Sequence, residues 1–128
     1  MDLQSNFEII PKECGKTAIV TKTFTITYGG HTLTIHEGFV HDEYTFAPNL
    51  KDSIPAIIHD FAYAFKRWDD GTPIARSMAD RMLRYYMHAS KDAETHNCAG
   101  LYYICVRLGG WYGWYFKKDI NVDPRSFA

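Results

Sequence analysis

A histidine, two aspartates and a tyrosine stand at spacings suited to proton chemistry. His59, Asp60 and Tyr63 fall within "SIPAIIHDFAYAF" (53–65), and Asp80 falls within "ADRML" (79–83). A histidine beside a carboxylate can form half of a general-base pair, can share a metal ion with it, or can point elsewhere. Helical rotation of about 100° per residue separates His59 from Asp60, so those two do not simply pair. Tyr63 lies one turn after His59 on the same face. Asp80 is the candidate partner if its helix runs antiparallel to that of His59. His59 stands eight residues before Arg67 and Asp80 seven after Pro73, which places both roughly 11–12 Å from the hinge end and nearly level. A carboxylate on one imidazole nitrogen leaves the other free as a base and stabilises the imidazolium that forms. In this reading His59 is the base, and Asp80 and Tyr63 orient it. Asp60 faces the loop that carries Asp42, where it would hold a cation or close the loop. The same residues also fit a satisfied core histidine, an Asp80 salt-bridged beside Arg81 and Arg84, and an Asp42 that closes an Asx turn.

Two kinds of element must position these groups. "TFTITYGGHTLTI" (23–35) sets Phe24, Ile26 and Tyr28 on one side and Thr23, Thr25 and Thr27 on the other, with Gly29-Gly30 as a two-residue hairpin turn. "FEII" (7–10) and "TAIV" (17–20) read as shorter partners of the same small sheet. From residue 53 the period changes to helical. Ser53 is placed to cap a helix with Pro55 in its first turn, running to about Arg67. "WDDGT" breaks it, and Thr72-Pro73 reads as a second start of a helix that carries Ile74, Met78, Met82 or Leu83, Tyr85 and Tyr86 to about Ala89. A third helix begins near Ser90–Asp92 and is expected to stop at Gly109-Gly110, with "WYGWYF" as a short final turn. The fold class is α+β: one domain over 1–128, an antiparallel sheet within 1–45, then three helices within 53–118, the central two an antiparallel pair.

The 128 residues suffice for one domain with a real core, and 46% hydrophobic with 23% charged residues is ordinary globular composition. A net charge of −1 without a basic stripe argues against nucleic acid as a partner. Three cysteines make no disulfide framework; Cys98 and Cys105, seven apart on one helix, are ~10 Å from each other. The acidic start has no basic-then-apolar signal segment, so secretion through a signal peptide is not expected. Arg107 and glycine turns break "AGLYYICVRLGGWYGWYF" (99–116), which is therefore not a clean membrane span. The aromatic end, with Tyr102, Tyr103, Trp111, Tyr112, Trp114, Tyr115 and Phe116, packs on the sheet, meets another subunit, or touches lipid transiently. Few flanking cations favour the protein partner.

The run "HDFAY…ADRML" resembles the helix pair of secretory phospholipase A2, His-Asp-x-Cys-Tyr facing Cys-Asp. The resemblance implies His59 as base for an attacking water, Asp60 as a calcium ligand, and Tyr63 and Asp80 as orienting groups. The two family cysteines fall on Ala62 and Ala79, and the glycine-rich calcium loop has no counterpart before His59. Over about half the chain, "GFVHDEYTFAP" (38–48), "HDFAY" (59–63) and "ADRMLRYYM" (79–87) resemble a small domain family of unknown function from tailed phages and prophages, patterned GFxTDxASxP…HDxxY…ADxxFxxxM. His41 replaces the usual Thr, and one extra residue precedes Pro48. This resemblance implies a phage-associated protein, in a virion or the host cytoplasm, such as a tail or head component that binds virion subunits or its own copies. The competing expectation is a phospholipase-like or envelope ester hydrolase. No cofactor is fixed by the pattern. Calcium or another divalent cation is what His41, Asp42, His59, Asp60 and Asp80 would take, whereas no His-x-x-x-His pair supports zinc.

Overall fold

The computed structural model describes residues 7–12, 15–42, 52 and 54–116. Among these, the chain is α+β, with short antiparallel sheets followed by three helices. Strands β1 (Phe7–Lys12), β2 (Gly15–Val20) and β5 (Val40–Asp42) form one sheet with β2 in the middle. Strands β3 (Phe24–Tyr28) and β4 (His31–Ile35) form a separate hairpin. The expected single sheet is thus two. After β4 the chain turns at Gly38 (φ 89°) and runs back along the end of β2, where Gly38 N–H donates to Val20 O and Val20 N–H to Phe39 O. The edge of β2 is therefore filled by β5 and not by the hairpin.

Gly29 and Gly30 take φ of 60° and 82°, the mirror-image turn whose twist suits a two-residue hairpin. Register pairs Phe24 with Ile35 and Ile26 with Leu33, so the four core side chains share one face. Thr25 and Thr27 face solvent, as period-2 alternation requires.

Helix α1 (Ile54–Phe65) sends Ile54, Ile57, Ile58, Phe61 and Ala62 into the core. Its first turn is tied by Asp52, whose Oδ1 accepts from Ile54 N–H at 3.1 Å; the expected cap, Ser53, lies outside the described residues. The helix ends at Phe65 because Lys66 adopts φ 59° and donates its N–H back to Ala62 O. Thr72-Pro73 does not start the next helix. Ile74 N–H donates to Lys66 O and Trp68 N–H to Thr72 O, with a bridge between Arg67 and Pro73, which holds 66–74 as a small ribbon. Asp69 docks the ribbon on the hairpin, accepting from Thr34 N–H at 2.9 Å and from the Thr34 hydroxyl at 2.5 Å.

Helix α2 (Arg76–His88) buries Ala79, Asp80, Met82, Leu83 and Met87, while Tyr85 is exposed and stacks edge-on against Tyr28. Ala56, early in α1, meets Leu83 and Met87, late in α2, whereas Tyr63, late in α1, meets Asp80; the pair is antiparallel. Helix α3 (Ala93–Phe116) starts on Asp92, whose Oδ2 accepts from both the N–H and the hydroxyl of Thr95. It then runs unbroken through Gly109-Gly110. Each interior glycine costs about 1 kcal/mol of helix propensity, and packing against α2, where Ala99 and Tyr102 are buried, outweighs that.

Candidate functional site: a buried carboxylate under His59

Asp80 is 0% exposed and carries the site. His59 Nε2–H donates to Asp80 Oδ1 at 2.9 Å, and the Tyr63 hydroxyl donates to the same oxygen at 2.5 Å. The proton position follows from the partner: an ionised carboxylate only accepts, so Nε2 carries a proton, and in the neutral ring Nδ1 keeps its lone pair. His59 itself is 14% exposed, so solvent reaches the ring but not the carboxylate behind it. Its ring lies 4.3 Å, centroid to centroid, from that of Tyr63.

The other carboxylate oxygen is held from α3. Arg107 Nη1 donates to Asp80 Oδ2 at 2.8 Å, and Arg76 Nη1 stands 4.0 Å from the same atom. Arg76 also spans α2 and α3, donating to Val106 O and Arg107 O at 3.2 and 3.1 Å. Gly110 makes room for this crossing. A Cβ there would lie 2.6 Å from the Tyr63 hydroxyl and 3.2 Å from Arg76 Nη1. Trp114 then packs edge-on against Tyr63 at 5.0 Å, with the Lys66 ammonium 4.8 Å above its ring.

Burial pushes the Asp80 carboxyl up, but hydrogen bonds from His59, Tyr63 and Arg107 outweigh it and hold the group below the usual carboxylate range. Tyr63 is pushed well above an ordinary phenol, first by burial and then by its bond to the Asp80 carboxylate, so it stays a donor. The result is an ionised aspartate, an imidazole oriented by it, and a protonated phenol.

The sequence-predicted trio His59, Asp80 and Tyr63 is brought together. Asp60 is half-buried beside His59 and belongs to a different side of α1. Asp42 lies on β5, its backbone paired with Thr17, but its side chain is outside the described residues, as is that of His41, so the Asp60–Asp42 pairing is too. Asp80 is not available as a cation ligand, because its oxygens are taken by His59, Tyr63 and Arg107. Among the described residues no group of three or more His, Cys, Asp or Glu is arranged to hold a metal ion. The aromatic end is only partly an outer surface: Tyr102 is buried, Tyr103 lies under the Arg84 guanidinium and Trp114 belongs to the site.

Arg76, Arg107 and Gly110 were not anticipated. Arg107 did leave a signal, as the one charge in the apolar run 99–116; such a charge normally answers an opposite one. No helix among the described residues is long and apolar enough to cross a membrane. No protein-family model matches this chain, and no curated protein or solved structure matches it.

Proposed function

We propose that the protein is a phage-associated particle component whose working part is a His–Asp hydrolytic dyad acting on an ester, in a lipid or an envelope polymer. The observation that carries the chemistry is the Nε2-bound, partly exposed His59 on a buried Asp80 also held by Tyr63. The phage association rests on the resemblance of residues 38–48, 59–63 and 79–87. His59 Nδ1 takes a proton from water as the water oxygen bonds to the carbonyl carbon and the C=O electron pair moves to oxygen. Collapse of that intermediate breaks the bond to the leaving alkoxide, which takes the proton back from the imidazolium. Asp80 remains ionised throughout and offsets the imidazolium charge. The chain's own residues suffice for these proton transfers, and no step is routed through a metal.

The test is hydrolysis of short acyl esters and of phospholipid vesicles by wild type, His59→Gln and Tyr63→Phe, each checked for fold by circular dichroism. Wild-type turnover is expected to fall at least ~100-fold in His59→Gln. Turnover unchanged by that substitution, or absent in wild type on both substrate types, sinks the proposal. A second reading has its own support: both Asp80 oxygens are satisfied across three helices, as in a polar network that fixes helix register. An inactive wild type that loses its cooperative unfolding in His59→Gln would favour it.

A further inference from the structure

The outward face of α3 presents Leu101, Ile104, Leu108 and Tyr115 at 61, 55, 76 and 71% exposure. Their spacing of three, four and seven residues is the a/d rhythm of a coiled-coil seam. The opposite face, with Ala99 and Tyr102, is already buried on α2. From Asn97 to Tyr115 the exposed described residues of α3 include no charged side chain, and the cation in that stretch, Arg107, is engaged by Asp80. Leaving four large apolar side chains in a row open to water is unfavourable for a lone chain.

We infer that α3 pairs with α3 of a second copy of this chain, antiparallel about a two-fold axis near Ile104. Three observations select this occupant. The first is area: the four side chains present on the order of 500 Å² per copy, so a symmetric pair buries about 1,000 Å², the lower bound for a specific interface. The second is register. About a point between Ile104 and Cys105, Leu101 falls opposite Leu108 of the partner subunit, Ile104 packs beside its own counterpart, and Tyr115 falls opposite Glu94 of the partner subunit. A tyrosine hydroxyl can donate to that carboxylate, whereas a parallel pair would set Glu94 against its own copy. The third is charge: from Asn97 to Tyr115 the exposed described residues carry none, and Glu94 at the end of the seam meets a tyrosine, so identical surfaces meet without repulsion and without exposed cations in that stretch to favour an anionic membrane. This pairing is independent of whether the His59 dyad turns over.

Sedimentation equilibrium of the full chain across the micromolar range tests it. Wild type should show a reversible monomer–dimer equilibrium. Leu101→Lys and Leu108→Glu, each at an exposed position and so expected to keep the wild-type circular dichroism, should weaken the dimer on the order of a hundredfold. Combining the two substitutions sets the introduced lysine of one copy against the introduced glutamate of the other across an antiparallel seam, and should recover much of the loss. A monomeric wild type, a dimer that survives the single substitutions, or singles that dissociate without recovery in the double variant each overturn the proposal. So does a monomer that sediments with anionic phospholipid vesicles, which would assign the face to lipid.

Discussion

Replacing Asp80 by Asn keeps the size and shape of the side chain and removes only its charge and one acceptor. Every group around Asp80 is a donor: His59 Nε2–H and the Tyr63 hydroxyl on Oδ1, Arg107 Nη1 on Oδ2. An amide offers one oxygen and one NH₂. With the oxygen toward His59, the NH₂ faces the Arg107 donor across a 2.8 Å contact. Flipped, it faces His59, which can accept only by moving its proton to Nδ1 and surrendering the base. Charge-assisted bonds exceed neutral ones by about 1 kcal/mol each. Three are affected, and the Arg107 bond is discounted because that side chain is about one-third exposed. The expected cost is about 2 kcal/mol, in a fold that retains its circular dichroism. The pH dependence follows from the depressed Asp80 carboxyl. Because its folded-state value lies below its unfolded value of about 4, its stabilisation is present above about pH 4 and is lost as pH falls through the folded value. Urea unfolding of both proteins should therefore show the full gap near pH 7 and a closing gap on acidification below about pH 4. A gap of the same size at about pH 3 and pH 7 would refute the assignment of this stabilisation to the ionised carboxylate.

Two further substitutions probe the site's support. Gly110→Ala should destabilise by about 1–3 kcal/mol and lower any esterase turnover, since Tyr63 can clear the new methyl only by leaving Asp80; Gly109→Ala, with nothing within 4 Å of its Cβ, should stabilise by about 0.5–1 kcal/mol. Thermal melts and turnover of the two variants check both statements, and equal effects would refute the packing argument. Asp69→Ala removes both bonds from Thr34 to the 66–74 ribbon and should cost about 1 kcal/mol, with faster hydrogen exchange at Thr34 N–H.

The α+β class and the His59–Asp80–Tyr63 trio were legible because each depends on local period. Alternation wrote the hairpin, and helical rise counted from Arg67 and Pro73 set His59 level with Asp80; those two positions are not helical, but a bridge pairs them across the ribbon, which keeps the count level. Ala62 and Ala79, both fully buried, let the helices approach closely enough for that level to become a bond. The remainder depended on tertiary bonds that no window of sequence contains. Thr72-Pro73 has the chemistry of a helix start, yet the bond from Ile74 N–H to Lys66 O pulls those residues into a ribbon. Gly109-Gly110 has the chemistry of a helix stop, yet α2 packs against α3 and the helix continues. That continuation carries Trp114 onto Tyr63, while one turn earlier Gly110 admits Arg76 and the Tyr63 hydroxyl. Misjudging the stop concealed this side of the site.

Helix α3 thereby has two duties that pull on the same backbone. Its inner side supplies Arg107, Gly110 and Trp114 to the Asp80 network, and its outer side holds the apolar seam of Leu101, Ile104, Leu108 and Tyr115. A buried carboxylate without Arg107 would face a desolvation cost that the hydrogen bonds from His59 and Tyr63 offset only in part. The Arg107 guanidinium reaches Oδ2 only while α3 keeps its register against α2, a register that Arg76 fixes through the Val106 and Arg107 carbonyls. An α3 held by a second copy would fray less across Gly109-Gly110, and the guanidinium would spend more of its time on the carboxylate. The orientation of the imidazole is then a property of three helices acting together, and the chemistry at His59 is tied to the packing of a helix that reaches the carboxylate through Arg107.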